Sequence, residues 1–338
     1  MSQKLIDAGI SLQHINIRSM LQLPMALWRL RKIVRELRPD VIQGWMYHGN
    51  IAALVARSGK QVAVVWNIRQ SLHRRDLFKL TTRLMIRVNA VLSKKADTII
   101  YNSHIARRQH EALGFCESIG VHIPNGIDLS RFSGGLEDRV RVRGELGITN
   151  NSKIVIAVGR VHPIKGHEVL LKAIELTLTT EPGTRFVIVG RGACWDQHPF
   201  HDVAANSLVR ERTLLLGERD NIPGLLASAD LFISASHTEG FPSAVAEAMA
   251  AGLPCVVTDV GDSRLLVGEH GCVVPANDAN ALGAAILDVL RLSDADRSRV
   301  GRLGRSIVEE KYSLPTVAKM YARLYRQVLN RTAKRFAA

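Results

Sequence analysis

Cysteine is scarce in this chain and unpaired in its spacing. Cys116, Cys194, Cys255 and Cys272 form no Cys-x-x-Cys step, which argues against a disulfide framework and a cysteine-built zinc site. Cys255 and Cys272 fall in apolar runs and are expected as buried thiols. Aromatic residues make up only 5% of the 338 positions. No basic stretch interleaves them with Lys or Arg, so no nucleic-acid partner is expected. No apolar run approaches the ~18–20 residues of a membrane-crossing helix, and no signal peptide is evident, so a reducing cytoplasm is the expected compartment. The P-loop pattern Gly-x4-Gly-Lys-Ser/Thr is missing, and Gly190-Arg-Gly192 has Trp195 where a dinucleotide fingerprint needs its third glycine. His198 and His201 bracket Pro199 without a second ligand cluster, so no metal site is expected there.

What is present is hydrophobic and regularly punctuated. Hydrophobic residues make up 46% of the chain and charged residues 22%. The length exceeds the size at which a single core stops growing, so two units are expected. Apolar runs alternate with amphipathic stretches, which predicts α/β architecture with parallel sheets. In the first half, strands are expected at Val41–Trp45, Val62–Trp66, Thr98–Tyr101 and near Val121–Ile123. Helices are expected at Asn50–Arg57, Phe78–Leu92 and His104–Leu113. Residues 133–151, rich in Gly and charge, read as a linker. In the second half, strands are expected near 154–158, 186–189, 213–216, 231–234, 255–258 and 272–274, with helices between them and a terminal helix at 314–330. The expected units are 1–140, 141–312 and a closing segment 313–338.

One stretch concentrates the candidate chemistry: Glu239-Gly240-Phe241-Pro242-Ser243-Ala-Val-Ala-Glu247, ending in Gly252-Leu-Pro254. Pro242 suits the first position of a helix, where its missing N–H is harmless, and Gly252 with Pro254 stops that helix. A helix starting just beyond a parallel strand aims its free N–H groups at the crevice there, a ready anion site. Upstream, Ile154-Val-Ile-Ala-Val-Gly159-Arg160 runs from a buried strand into a loop that also carries Lys165. Two cations are therefore expected on the same crevice, where they would favour charge developing on a departing anion. In the first half, Gly44-Trp-Met-Tyr-His48-Gly-Asn50 follows a strand, so His48 is expected at the mouth of the crevice with an imidazole able to move a proton. Arg69 also follows a strand and could meet a charged acceptor.

The two stretches resemble, residue for residue, the signature of family 4 glycosyltransferases, retaining enzymes of the GT-B fold. The resemblance implies two Rossmann-like domains facing a central cleft, the first holding the acceptor and the second a nucleotide-sugar. It implies that Glu239 meets the donor sugar, Glu247 the ribose, and Arg160 and Lys165 the diphosphate, together with the helix start at Gly240–Ser243. His48 corresponds to a histidine that relatives hold near the reacting carbon. The loop Gly217-Glu-Arg-Asp220-Asn221-Ile222 resembles the family's base-facing loop, and Pro124-Asn-Gly-Ile-Asp128 its crossing between domains. The expected activity is retaining transfer of a sugar to a hydroxyl, in polysaccharide or glycolipid assembly, with no cofactor and no metal. Asp294-Ala-Asp296 spells the metal motif of the other glycosyltransferase fold, but after Ser293 it reads as a helix cap. The chain departs from the family at its start. Met1–Ile10 resembles the end of the first helix and the beginning of the second strand, so the first βα unit is expected to be missing and the first domain incomplete. A non-catalytic remnant that binds nucleotide stays open beside the transferase reading, as does, more remotely, a nucleotide-sugar epimerase.

Charge is unevenly spread. Residues 1–143 hold 23 Lys and Arg against 10 Asp and Glu, residues 144–310 hold 15 against 21, and residues 311–338 hold seven against none. The basic surface is thus expected on the acceptor side. Leu21–Arg38 sets Leu, Met, Trp28 and Ile beside Arg29, Arg31, Lys32, Arg35 and Arg38. That pattern suits a helix lying on an anionic leaflet, at roughly 1 kcal/mol per basic residue, and a lipid-linked or saccharide acceptor. A core helix with a solvated basic face is the other reading.

Overall fold

The computed structural model describes the chain apart from Met1, Arg18, Ser58, Lys60, residues 74–77 and Ala338. Among the described residues, ten strands form two wholly parallel sheets. The first sheet runs β1 (Val41–Trp45), β2 (Ala63–Ile68), β3 (Thr98–Tyr101), β4 (Gly120–His122), in chain order. The second contains β5 (Ile154–Val158), β6 (Arg185–Val189), β7 (Thr213–Leu215), β8 (Leu231–Ser234), β9 (Cys255–Thr258) and β10 (Cys272–Val274), ordered β10-β9-β8-β5-β6-β7. The central strands β2, β3 and β9 are buried along their whole length. That is why they read as continuous Val and Ile runs, without alternation.

Several expected boundaries move. The helix after β1 starts at Met46, four residues before the expected Asn50. Gly44 makes this possible, since a Cβ there would lie 2.5 Å from the Gly49 carbonyl oxygen. Met46 itself takes a left-handed conformation, φ +61°, which turns the chain from strand to helix in one step. Residues 133–151 are not a plain linker: Leu136–Glu145 is a helix. Its Arg143 is fully buried, bonding Asp230 and the carbonyls of Ser228, Asn150 and Ser152. Pro242 caps the Ser243–Ala250 helix rather than opening it. Residues 10–17 form no strand.

The change from one core to the other also falls before residue 140. Ile123 packs in the first core, whereas Ile127, Phe132 and Val142 pack in the second. The chain crosses back where Ile127 N–H donates to the Tyr312 carbonyl and Leu314 N–H to the Ile127 carbonyl, both at 2.8 Å. The last helix, Leu314–Ala337, then lays Val317, Leu324 and Val328 against Ala63, Val65 and Ile100. Burying such aliphatic side chains is worth about 1.5–3 kcal/mol each, so this helix is a structural part of the first domain.

Candidate functional site

The carboxyl ends of both sheets face one another, and the loops leaving them enclose a cavity of about 610 Å³. Arg160, His162, Glu239, Gly240, Phe241 and Ser243 line it from the second domain, and Met46, Arg69, Ser71, Asn102 and Asn125 from the first side and the crossing. Crevices at the carboxyl ends of parallel strands are where open α/β sheets bind ligands.

Glycine sets the geometry of the charged pair. Gly166 has φ +63°, and a Cβ there would meet the Ala235 carbonyl oxygen at 2.1 Å. This close approach folds the Pro163–Lys165 turn against the end of β8. The Lys165 ammonium consequently donates to Glu239 Oε1 at 2.6 Å, and Ser236 Oγ donates to the same oxygen at 2.7 Å. Arg160 is exposed on the cavity wall. No carboxylate among the described residues pairs with it. His162 Nδ1 accepts from Ile164 N–H at 3.3 Å. Burial, then Arg160 and Lys165, lower the His162 pKa, favouring the neutral ring.

The helix start completes this wall. The N–H groups of Val245 and Ala246 return to the Pro242 carbonyl, while those ahead of them have no partner within the helix. Phe241 is buried against Tyr312, with ring centroids 5.5 Å apart. Ser243 Oγ accepts from Asn125 Nδ2 at 2.8 Å. Glu247, one turn along, faces a second cavity of about 690 Å³. Burial raises the Glu247 carboxyl pKa, and Arg131 opposes the shift. Arg69, Asn125 and Ser243 line both cavities, so a long ligand could run from Glu239 to Glu247.

Arg69 is less free than a ligand-binding cation. Its guanidinium donates to Asn125 Oδ1, Tyr321 Oη (2.8 Å) and Asn67 Oδ1 (3.2 Å), and stacks over Trp45 at 4.5 Å. It ties the first sheet to the crossing and the last helix.

Not every expected residue joins the site. His48 is exposed on the first turn of the Met46–Ala56 helix and lines neither cavity, because that helix starts earlier than its sequence suggests. Gly217, Asp220, Asn221 and Ile222 line neither cavity either. Gly217 bonds Gly190 and Ala193 through its backbone, Asn221 caps the Ile222–Ser228 helix, and Ile222 packs on the second core. Asp294 and Asp296 begin a helix capped by Ser293. Sequence reasoning overlooked His162, Asn102 and Thr238. His162 stands within the Arg160–Lys165 stretch, and its place before Pro163 was a readable capping signal.

Two Rossmann-like units facing one another across a ligand-sized cleft define the GT-B architecture. HepE of Anabaena, in a structure with UDP and glucose, superimposes with a TM-score of 0.82 at 20% identity, covering 96% of this chain and 88% of that one. The first half matches the family model Glycosyltransferase Family 4 over residues 3–131, and the second half Glycosyl transferases group 1 over residues 152–292. The chain belongs to the family 4 glycosyltransferases. It is 32% identical over 176 residues, 49% of its length, to the UDP-Gal:alpha-D-GlcNAc-diphosphoundecaprenol alpha-1,3-galactosyltransferase of Escherichia coli. It is 30% identical over 264 residues, 75% of its length, to TuaC of Bacillus subtilis (strain 168), a glycosyltransferase assigned to teichuronic acid biosynthesis. The matched regions span 44% and 61% of those two proteins, less than two-thirds of either.

Proposed function

We propose that this protein transfers a sugar from a nucleotide-sugar to a hydroxyl of a lipid-linked or saccharide acceptor, with retention of anomeric configuration and without a metal. The observation that carries this reading is the Lys165–Glu239 pair, 2.6 Å apart, whose carboxylate partner lines the cavity that Arg160 and the start of the Ser243–Ala250 helix also border, with Lys165 just behind that wall. The two cations and the helix N–H groups would receive the diphosphate and stabilise it as the glycosidic bond breaks. Glu239 would orient the sugar and Glu247 the ribose, the donor passing Ser243 between the two cavities. Retention and an undecaprenyl-type acceptor are suggested by family membership and by the E. coli relative. Incubation with anomerically pure nucleotide-sugars and diphospho-lipid acceptors, followed by NMR of the product, tests this. A product with the donor's anomeric configuration is expected. An inverted product, or none from a sample that binds nucleotide, would overturn it.

The acceptor's lipid would be met at a membrane surface. The Leu23–Leu37 helix buries only Ala26 and Val34. It leaves Met25, Trp28 and Leu37 about 60% exposed beside Arg29, Arg31, Lys32 and Arg35. Met25 and Trp28 share one exposed face with Arg29, Lys32 and Arg35, an interleaving of apolar and cationic side chains that fits an anionic leaflet. No helix among the described residues is long and apolar enough to cross a membrane. Flotation with vesicles containing phosphatidylglycerol, but not with neutral vesicles, is expected; equal flotation with both would sink the idea.

A further inference from the structure

Away from the charged pair, one side chain links the two domains to the catalytic loop. Gly261 has φ +59°, and a Cβ there would lie 2.6 Å from the Glu239 carbonyl oxygen and 2.7 Å from that of Gly240. The loop after β9 therefore lies directly against Glu239 and Gly240. Asp262 N–H then donates to the Gly240 carbonyl at 3.1 Å.

The Asp262 side chain points the other way, into the first domain. Its Oδ2 accepts from His104 N–H at 2.7 Å and its Oδ1 from Ile105 N–H at 3.1 Å. These are the first two N–H groups of the His104–Glu111 helix, which no helix can satisfy internally. Ser103 Oγ accepts from the next donor, Ala106 N–H. The helix is thus capped partly by its own domain and partly by the opposite one. Around this contact the domains touch at polar atoms: Ser71 Oγ lies 3.2 Å from Thr238 Oγ1, and Asn125 Nδ2 donates to Ser243 Oγ.

The same place could suggest a metal. Ligand atoms of His104, His122 and Asp262 lie within 4.8 Å of one another. The two imidazoles, however, are stacked, with centroids 3.9 Å apart and planes 33° from parallel. Ligands on one tetrahedral ion hold their donor atoms about 3.3 Å apart with the ring bodies splayed outward. The carboxylate is also already engaged by two backbone donors. Burial, then His104, lowers the His122 pKa to about 4, so near neutral pH the His122 ring is neutral and does not compete as a cation for that carboxylate.

We infer that Asp262 is a positioning residue for the transfer reaction: its carboxylate docks the closed first domain while its backbone fixes the Glu239-Gly240 loop against the donor. Closure of the cleft and placement of Glu239 are then one event. The role rests on the donor-site reading above. Asp262 lines neither cavity and bonds neither of the paired charges, so its loss should act on turnover and spare nucleotide binding.

The test is Asp262→Asn, nearly isosteric, with Asp262→Ser as a second variant should the first fold poorly. Nucleotide Kd is expected to stay within about threefold of wild type while kcat falls about tenfold or more, since small misplacement of a reacting group is costly. Hydrogen exchange supplies a readout independent of activity. The amides of His104 and Ile105 should both be protected in the wild type; at least one should exchange faster in Asp262→Asn, whose amide keeps one acceptor and loses the other, and both should do so in Asp262→Ser. Unchanged kcat, equal losses in kcat and nucleotide affinity, or equal protection of the two amides would overturn the role. If neither protein binds nucleotide, the donor-site reading fails by itself, and the amide comparison still decides whether Asp262 latches the domains.

Discussion

Glu239→Ala is expected to lower kcat about 10²- to 10³-fold, the range found when a preorganised polar group is removed from a reacting centre. Glu239 Oε1 is fixed by both Lys165 and Ser236. A group held this firmly does not need to reorganise when charge develops on the sugar, which is why its effect falls on the transition state. Nucleotide affinity should change little, because on the proposed reading the nucleotide's phosphates would meet Arg160, Lys165 and the helix start rather than Glu239. A fall in kcat below about tenfold, measured under saturating donor, would remove Glu239 from the reacting centre.

Arg160→Ala combined with Lys165→Ala should cost about 2–4 kcal/mol of nucleotide affinity, a loss of roughly 30- to 1,000-fold. Two terms contribute. The diphosphate would lose its proposed cations, and Glu239 would lose the ammonium that balances it, so a half-buried carboxylate would then face an anionic ligand. Arg160→Ala alone removes only the first kind of contact and should cost less, on the order of 1 kcal/mol, because the side chain is exposed. Calorimetry on folded double and single variants separates the two. Equal losses would mean that Lys165 does not reach the phosphates and serves only to hold Glu239.

The strands were the most legible part of the sequence. Thr98–Tyr101, Leu231–Ser234 and Cys255–Thr258 are apolar runs bounded by turn residues, and the strands start and stop there. The Glu239–Glu247 and Arg160–Lys165 stretches were legible because each spans a strand end, a turn and a helix start. What escaped was set by contacts distant in sequence. Leu136–Glu145 looks like a linker because it is charged, yet Arg143 is buried through partners some 85 residues away. The early helix start that turns His48 outward depends on Gly44 meeting Gly49 and Asn50, a steric fact that periodicity does not report. Asp262 reads as a turn residue before a short helix. Its two acceptors serve a helix 158 and 157 residues earlier, and no local pattern announces that.

Titration of the wild-type protein with UDP, GDP and ADP tests the central claim, that the cleft between the sheets is a nucleotide-sugar donor site. Saturable micromolar binding of one nucleotide, at one site per chain and sensitive to Arg160 and Lys165, is the predicted result. A folded protein that binds none of the three, or binds all three weakly and without regard to those residues, would contradict it.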